Sequence, residues 1–591
     1  MIISKLIKEA VLEALGSLFG QQFDGNAFQV SQTKPEFEGD YTVVLFSLLK
    51  SAKRSPEQLG NELGTYLVNN YPQYFHSYNI IKAFLNLVIS DDYWLTVLQN
   101  QYANPNFGKT VNKGRKVMVE YSSPNTNKPL HLGHLRNIFL GWSMAEIYKA
   151  NGHDIIKTCV VNDRGIHICK SMIAWQLFSH GATPETSHKK GDHFVGDYYV
   201  KFNDAYKVEV EKLVSNSMPR EQAEKESPLM RATQEMLLKW EQGDEKVLEL
   251  WKTMNGWVYA GFAETYQRIG SDFDKIYYES ETYLLGKEYV DKGLEKGVFV
   301  KKADGSVWID LTQEGLDEKL VLRKDGTSVY ITQDIGLAQL KYNDFSIDES
   351  ILVIGDEQNY HVKVLKLICQ KLGMPYADNM FHLSYGMVEL TTGKMKSREG
   401  TVVDADDLVD EMIQEAKDKT LESGKAKDFN TEELIALYEM IGIGAMKFYL
   451  LRVDPKKKMI FNPQESIDLH GFTATSIQYT HARIKSILRT AQATGFNIGP
   501  DPLFALEKKL LIMLELYPAM IEQAGEEMNP AVIALYAYEL SRKFNSFYDA
   551  HSVLKAENDQ KKELRLRIAQ MTANIIASSM KLLGIDVPER M

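Results

Sequence analysis

The chain has 591 residues, 44% of them hydrophobic and 25% charged, with a formal net charge of −11 and three cysteines. At roughly 150 residues per domain this is about four folding units, and the apolar content rules out a disordered, fibrous or disulfide-stapled protein. The negative balance works against general binding to phosphate backbones, yet a local basic stripe on an acidic protein can still serve.

The opening "MIISKLIKEAVLEALGSLF" is apolar on one face and interrupted by Lys5, Lys8, Glu9 and Glu13, which reads as an amphipathic helix and not a signal peptide. With "GDYTVVLFSLLK" and "IIKAFLNLVI" it predicts a small α/β or α+β domain over residues 1–110, closed by the Gly-containing charged linker "NFGKTVNKGRK". From Lys116 strands and helices alternate: "KVMVEYS", then helical "LGHLRNIFLGWSMAEIYKANG", then "DIIKTCVVN". Later come "SVWIDL", "ESILVIGD" and "FHLSYGMVEL", separated by helical "QDIGLAQLKY" and "NYHVKVLKLICQKLG". This pattern predicts a doubly wound parallel sheet of the Rossmann type over 111–430, interrupted by a polar, mostly helical insertion at about 179–302. Residues 431–591 show helical periodicity and predict an all-α domain. Its apolar run "LIALYEMIGIGAMKFYLL" contains Glu439 and Lys447, which argues against a membrane span. Cys159, Cys169 and Cys369 form no C-x-x-C pair and no disulfide framework, so a cytoplasmic protein is expected.

The stretch "SSPNTNKPLHLGHLRN", residues 122–137, sits where the strand "KVMVE" hands over to a helix. Pro129 suits the approach to a helix, where a missing N–H costs little. The helix start at about Leu132 offers unpaired N–H groups and a positive dipole end, a ready anion site. His131 and His134, three apart, are expected to project to the same side, and Gly133 leaves room for a flat ligand close to the backbone. No third ligand stands at suitable spacing, so no metal site is expected. In parallel sheets ligands bind beyond the C-terminal ends of strands, which marks this loop as a candidate nucleotide site.

"HLGH" resembles the HIGH motif of class I aminoacyl-tRNA synthetases, and "VEYSSPNTNKPLHLGHLRN" is similar to its form in arginyl-tRNA synthetases. "VELTTGKMKSREGTVVDADDL" resembles the second class I signature, KMSKS. "KPEFEGDYTVVLFSLLK", "DHFVGDYYVKF", "DPKKKMIFNPQESIDLHG", "IQYTHARIKSILR" and "LLGIDVPERM" extend the resemblance over nearly the whole chain. The resemblance implies an enzyme that uses ATP and Mg²⁺ to activate L-arginine and load it on tRNA(Arg), with activation requiring bound tRNA. It implies no membrane association, and a monomer is expected. The alternatives are an inactive tRNA-binding paralogue or a class I synthetase of another specificity.

It implies that His131, Gly133 and His134 bind ATP, with Lys128 adding charge at the phosphates. In the second signature Lys394, Met395, Lys396, Ser397 and Arg398 would close over pyrophosphate, with Lys394 and Lys396 counted as catalytic beside Lys128 and the two histidines. Ser397 stands where KMSKS has its second lysine; Lys128 or Lys396 is the candidate substitute. A guanidinium is read best by carboxylates in fork geometry. By resemblance Glu120, Asn125, Tyr330, Asp334 and Gln358 match the arginine pocket; Tyr330 and Asp334, four apart, would share a helix face. For the anticodon, read by stacking and edge hydrogen bonds, Tyr479, Arg483, Phe547, Tyr548 and His551 are candidates. Tyr479, Tyr548 and Met591 match family positions there, while Ser476 stands where an aromatic is frequent. The insertion is expected to shape the site and the acceptor path without editing.

Overall fold

The structure is a computed structural model that describes residues 2–390, 403–424, 428–491 and 501–591. Near the N-terminus the helices Ile3–Phe19 and Pro56–Asn70 pack with an antiparallel sheet of Val30–Gln32 (β1), Tyr41–Val44 (β2), Phe75–Ile81 (β3) and Phe84–Ile89 (β4), ordered β1-β2-β4-β3. The second helix starts where it does because Ser55 and Gln58 form a reciprocal capping box and Pro56 fills the first turn. The unit docks on the helical C-terminal part through buried Glu515, whose Oε1 accepts from the Ile3 N–H at 2.5 Å and from the Tyr93 hydroxyl at 3.0 Å.

The central sheet is parallel and five-stranded. Its members are Lys116–Glu120 (β5), Asp154–Val161 (β6), Lys275–Tyr278 (β7), and later Glu349–Gly355 (β11) and Met380–Tyr385 (β12), in the order β12-β11-β5-β6-β7. Near-continuous apolar runs such as "VMV" and "ILVI" belong to strands covered on both faces. The direction of winding reverses between β5 and β11, where the register sets Glu120 opposite Leu352. This is the topological switch point, and the crevice beyond it is where such sheets bind ligands.

Three elements differ from the expected grammar. The segment "SVWIDL" is not in the main sheet: with Val300–Lys301 (β8), Val307–Ile309 (β9) and Lys319–Leu322 (β10) it makes a separate antiparallel sheet. Only short turns join these strands, whereas parallel pairing needs a long crossover. β7 lies inside the range read as a helical insertion, yet it pairs with β6 at the sheet edge. The helical part of that range is Gly191–Ser215, Pro228–Glu241 and Glu245–Ile269, with shorter helices between. Beyond residue 431 the described residues form helices and one strand, Met459–Phe461 (β14), which pairs with Val388–Leu390 (β13). The helix Thr431–Leu451 is long and apolar enough to cross a membrane by composition, and 67% of its apolar window is buried inside the fold.

Candidate active site

The loop after β5 is held in a strained form. Ser122 and Ser123 adopt φ of +75° and +48°, a left-handed conformation costing on the order of 1 kcal/mol for each side-chain-bearing residue. Compensation comes from the Ser122 N–H donating to Asn137 Oδ1 at 2.5 Å and the Ser122 hydroxyl meeting the Tyr266 hydroxyl at 2.7 Å. Asn137 in turn donates to the Val353 carbonyl of β11 at 2.7 Å, so one amide ties the loop, the following helix and the switch-point strand together. Helix and strand approach closely at Gly141, where a Cβ would fall 2.3 Å from that of Tyr121.

The helix runs Leu132–Ala150 with His131 as its N-cap. His134 Nδ1 accepts from the His131 N–H at 3.1 Å, and His131 Nδ1 accepts from the Gly133 N–H at 3.1 Å. The two ring centroids are 3.8 Å apart. The room at Gly133 is therefore used by the folded-back His131 ring, 3.0 Å from where a Cβ would be, and not by ligand alone. Because each Nδ1 is an acceptor, the remaining proton of each neutral imidazole sits on Nε2. Burial, and then the charge of Lys128, push His131 down to about 3; burial, His131 and Lys128 push His134 well below its usual value. Both shifts disfavour the charged form of the rings, and Lys128 is the charge beside them.

Lys128 and His131 open onto a cleft of about 440 Å³ whose other wall is the start of the helix Gly191–Ser215, with Lys190 and His193, and Asp404. Residues 403–405 run antiparallel to 130–132: the Leu132 N–H donates to the Val403 carbonyl at 3.2 Å and the Ala405 N–H to Leu130 at 3.0 Å. Asp404 caps the helix Ala405–Ser423. His193 Nε2 lies 3.2 Å from both Asp404 Oδ2 and Asp406 Oδ2, and Lys190 Nζ lies 2.6 Å from Asp406 and 3.2 Å from Asp192. The two aspartates raise His193 to about 10. Burial alone would raise Asp406, but hydrogen bonds from His193, Lys190 and Thr265 outweigh it and hold the carboxyl well below its usual range. Asp192, His193 and Asp406 could together ligate a cation, but the Lys190 ammonium already sits among these carboxylates.

Arg136 is fully buried, and its guanidinium donates to the carbonyls of Gly386 at 2.6 Å, Met387 at 3.3 Å, Pro455 at 3.2 Å and Lys457 at 2.9 Å. It thus fixes the corner from which β13 leads toward the second signature. Lys394, Met395, Lys396, Ser397 and Arg398 lie outside the described residues.

Of the expected arginine pocket, Glu120 and Asp334 line one cavity of about 80 Å³ beside β5 and β11, together with Lys341 and His361. Asp334 and Tyr330 both belong to the helix Tyr330–Phe345, but Tyr330 is 76% exposed and does not line the cavity. Asn125, bridged to Asn162, and Gln358, at the end of β11, stand exposed at the C-terminal edge of the sheet. Sequence reasoning missed Lys341 and His361; the helical spacing of Lys341 from Asp334, seven residues on, was the available signal.

At the far end, Arg483 lies 5.0 Å from the Tyr479 ring and 5.7 Å from the Tyr548 ring, which gathers three of the anticodon candidates. His551 packs on Phe504 and Phe547, and Met591 against the core. Phe547 is fully buried and is core.

Residues 97–462 match the family model for class I (R) tRNA synthetase catalytic domains, residues 3–89 the arginyl-tRNA synthetase N-terminal domain and residues 477–591 the DALR anticodon-binding domain. The chain belongs to the class I arginyl-tRNA synthetase family. Among relatives of this family, the arginine–tRNA ligases of Parabacteroides distasonis and Bacteroides fragilis are 50% and 51% identical, each aligned over all of both chains. The fold is that of the Thermus thermophilus arginyl-tRNA synthetase, with a TM-score of 0.82 at 23% identity over the full length of both chains. Membership of this synthetase family makes the chain an ATP-using aminoacyl-tRNA ligase.

Proposed function

We propose that the chain activates L-arginine with ATP and transfers it to the 3′ end of tRNA(Arg), with Mg²⁺ entering on the triphosphate and with activation depending on bound tRNA. The observation that carries this is the pairing, at one switch point, of a helix start that opens onto a cleft beside Lys128 with a cavity that Glu120 and Asp334 line. In the first step a carboxylate oxygen of arginine attacks the α-phosphorus, the bond to the bridging oxygen breaks, and pyrophosphate leaves. The Nε2–H groups of His131 and His134 donate to phosphate oxygens as charge shifts onto them, and Lys128 adds a full positive charge. Such fixed donors need no reorganisation during reaction. Glu120 and Asp334 hold the guanidinium, Asn125 and Gln358 the α-amino and carboxylate ends, and Tyr330 closes on the side chain. Lys394, Met395, Lys396, Ser397 and Arg398 complete the phosphate site.

Residues 1–110 serve as an additional tRNA-binding domain, 111–430 as the catalytic domain and 431–591 as the anticodon-binding domain, with Tyr479, Arg483, Tyr548 and Met591 at the anticodon. The enzyme is taken to act as a monomer, and free, buried cysteines support a reducing cytoplasm. The test is pyrophosphate exchange into ATP with each amino acid, with and without total tRNA. Exchange with arginine only when tRNA is present is the expected result; exchange with another amino acid, or none, overturns the proposal.

A further inference from the structure

The cavity assigned above to the guanidinium already holds a lysine and a histidine of its own, each paired with a carboxylate. Lys341 Nζ is ion-paired with Glu120 Oε2, and both side chains are almost wholly buried. His361 Nε2 lies 2.6 Å from Asp334 Oδ2, and each of these side chains is 36% exposed. The rest of the lining is largely apolar, including Leu337, Leu352, Ile354 and Val362. With His361 protonated, two carboxylates face two cations and the cavity is neutral as it stands.

A guanidinium entering this space adds a third positive charge among apolar walls, and an uncompensated buried charge is strongly disfavoured. One resident cation must give way. Lys341 is buried in the C-terminal half of its helix, and removing it would strand Glu120. His361 stands in the first turn of the helix Asn359–Lys371, on the solvent side of the cavity, where the dipole of the helix start already disfavours its positive charge.

We infer that arginine binds by cation exchange at Asp334: the guanidinium takes over the carboxylate from His361, which releases its Nε2 proton to solvent, while Lys341 stays on Glu120. This rests on the arginine reading above and adds to it the group that the substrate displaces. The balance is one proton out for one guanidinium in. Lys341 is then a positioning residue that holds one oxygen of Glu120, and His361 sets the affinity for arginine as a function of pH.

The groups facing His361 are Asp334 from Tyr330–Phe345, whose hydrogen bond raises it, and Lys319 from β10, whose charge lowers it, along with burial. On its own helix Tyr360 holds Lys319, 4.4 Å from the ring centroid. Glu279 and Cys369 lie close enough to Asp334 to feel its charge. The net effect is a His361 held above its ordinary value, so the ion pair with Asp334 forms below that titration and is lost above it.

Two measurements test this. In aminoacylation with saturating ATP and tRNA, the KM for arginine of the unmodified enzyme is expected to climb toward tenfold per pH unit as pH falls from 8 to 6, with kcat changing far less. His361→Gln is expected to flatten that slope and to bind arginine more tightly than the parent at pH 6, a gain that damage to the fold does not produce. A flat KM in the parent, or an undiminished slope in the variant, overturns the exchange. Should the variant fail to fold, calorimetry on the unmodified enzyme–tRNA complex decides. Titration with arginine in buffers of different ionisation enthalpy at pH 6 should report close to one proton released, and no release overturns the inference. Charging of tRNA with arginine under these same conditions tests the parent reading separately: its absence at every pH sinks that reading, whereas charging with a flat KM sinks only the exchange.

Discussion

His131 and His134 cap one another at the start of a single helix, each ring offering Nδ1 to a backbone N–H at 3.1 Å. The arrangement fixes the tautomer of both neutral rings, so Nε2 is the nitrogen that carries the proton.

Replacement at His134 should therefore be asymmetric. Glutamine places an amide donor near the position of Nε2, while asparagine is short and reproduces only the Nδ1 side. Losing one donor to developing oxyanion charge costs about 10²–10³ in kcat, and His134→Asn should show that loss while His134→Gln recovers part of it. Because burial and Lys128 keep both histidines neutral far below pH 6, kcat/KM for ATP should stay flat between pH 6 and 8. Equal losses in the two variants would count against the assigned tautomer.

Lys128 supplies the positive charge beside two neutral rings, and its charge is felt by both. Lys128→Met should raise KM for ATP and lower kcat together, by about tenfold or more overall, since a charged hydrogen bond contributes about 1.5–3 kcal/mol. Lys396→Met compared in the same pyrophosphate-exchange assay decides which lysine stands in for Ser397. A harmless Lys128→Met with a crippled Lys396→Met reverses the assignment.

The sequence made some of this legible and left other parts hidden, for physical reasons. A strand running into Pro129, Gly133 and a helix start is local chemistry, and it placed the strand-to-helix junction, with the helix beginning at Leu132. Glu120 and Asp334 were singled out by family resemblance, and the structure sets both on the lining of one cavity. The direction of capping at His131 was not readable, since either ring orientation satisfies the spacing. Arg136 has the same string of letters around it as a solvent-facing arginine would, and its four carbonyl partners are 250 or more residues away. β7 escaped because four residues between polar flanks carry almost no periodic signal, and its place is set by pairing with β6. Lys341 and His361 were hidden for the same reason as Arg136: their partners come from other elements.

The link between the insertion and residues 404–406 gives a stability prediction. His193 is held at about 10 in the folded chain, above an unfolded value of about 6.5. Its contribution is thus fully present below pH 6.5 and is lost as pH rises toward 10. The thermal midpoint of the unmodified protein should fall over that window, and His193→Gln should fall less. Removing one partner of a buried pair costs about 3–5 kcal/mol, so Lys190→Met should be severely destabilising, whereas Lys190→Met with Asp406→Asn should lose less than the sum of the two single changes. Strict additivity in the denaturation midpoints would show that Lys190 and Asp406 do not act as a unit.

At the other end of the molecule, the Arg483 guanidinium lies near both the Tyr479 and Tyr548 rings and donates to Asn545 Oδ1 at 2.9 Å, which keeps it from wandering. A base entering here would stack on a tyrosine already backed by a cation. Aromatic stacking contributes about 1–3 kcal/mol per base, so Tyr479→Ala should raise KM for tRNA by about tenfold or more, while Tyr479→Phe, which keeps the ring, should be close to the parent. KM for arginine and for ATP should be unmoved in both, because the site of chemistry lies in another domain. If Tyr479→Ala instead changes the thermal midpoint and leaves KM for tRNA alone, Tyr479 is a core residue and the anticodon surface lies elsewhere on the helical domain.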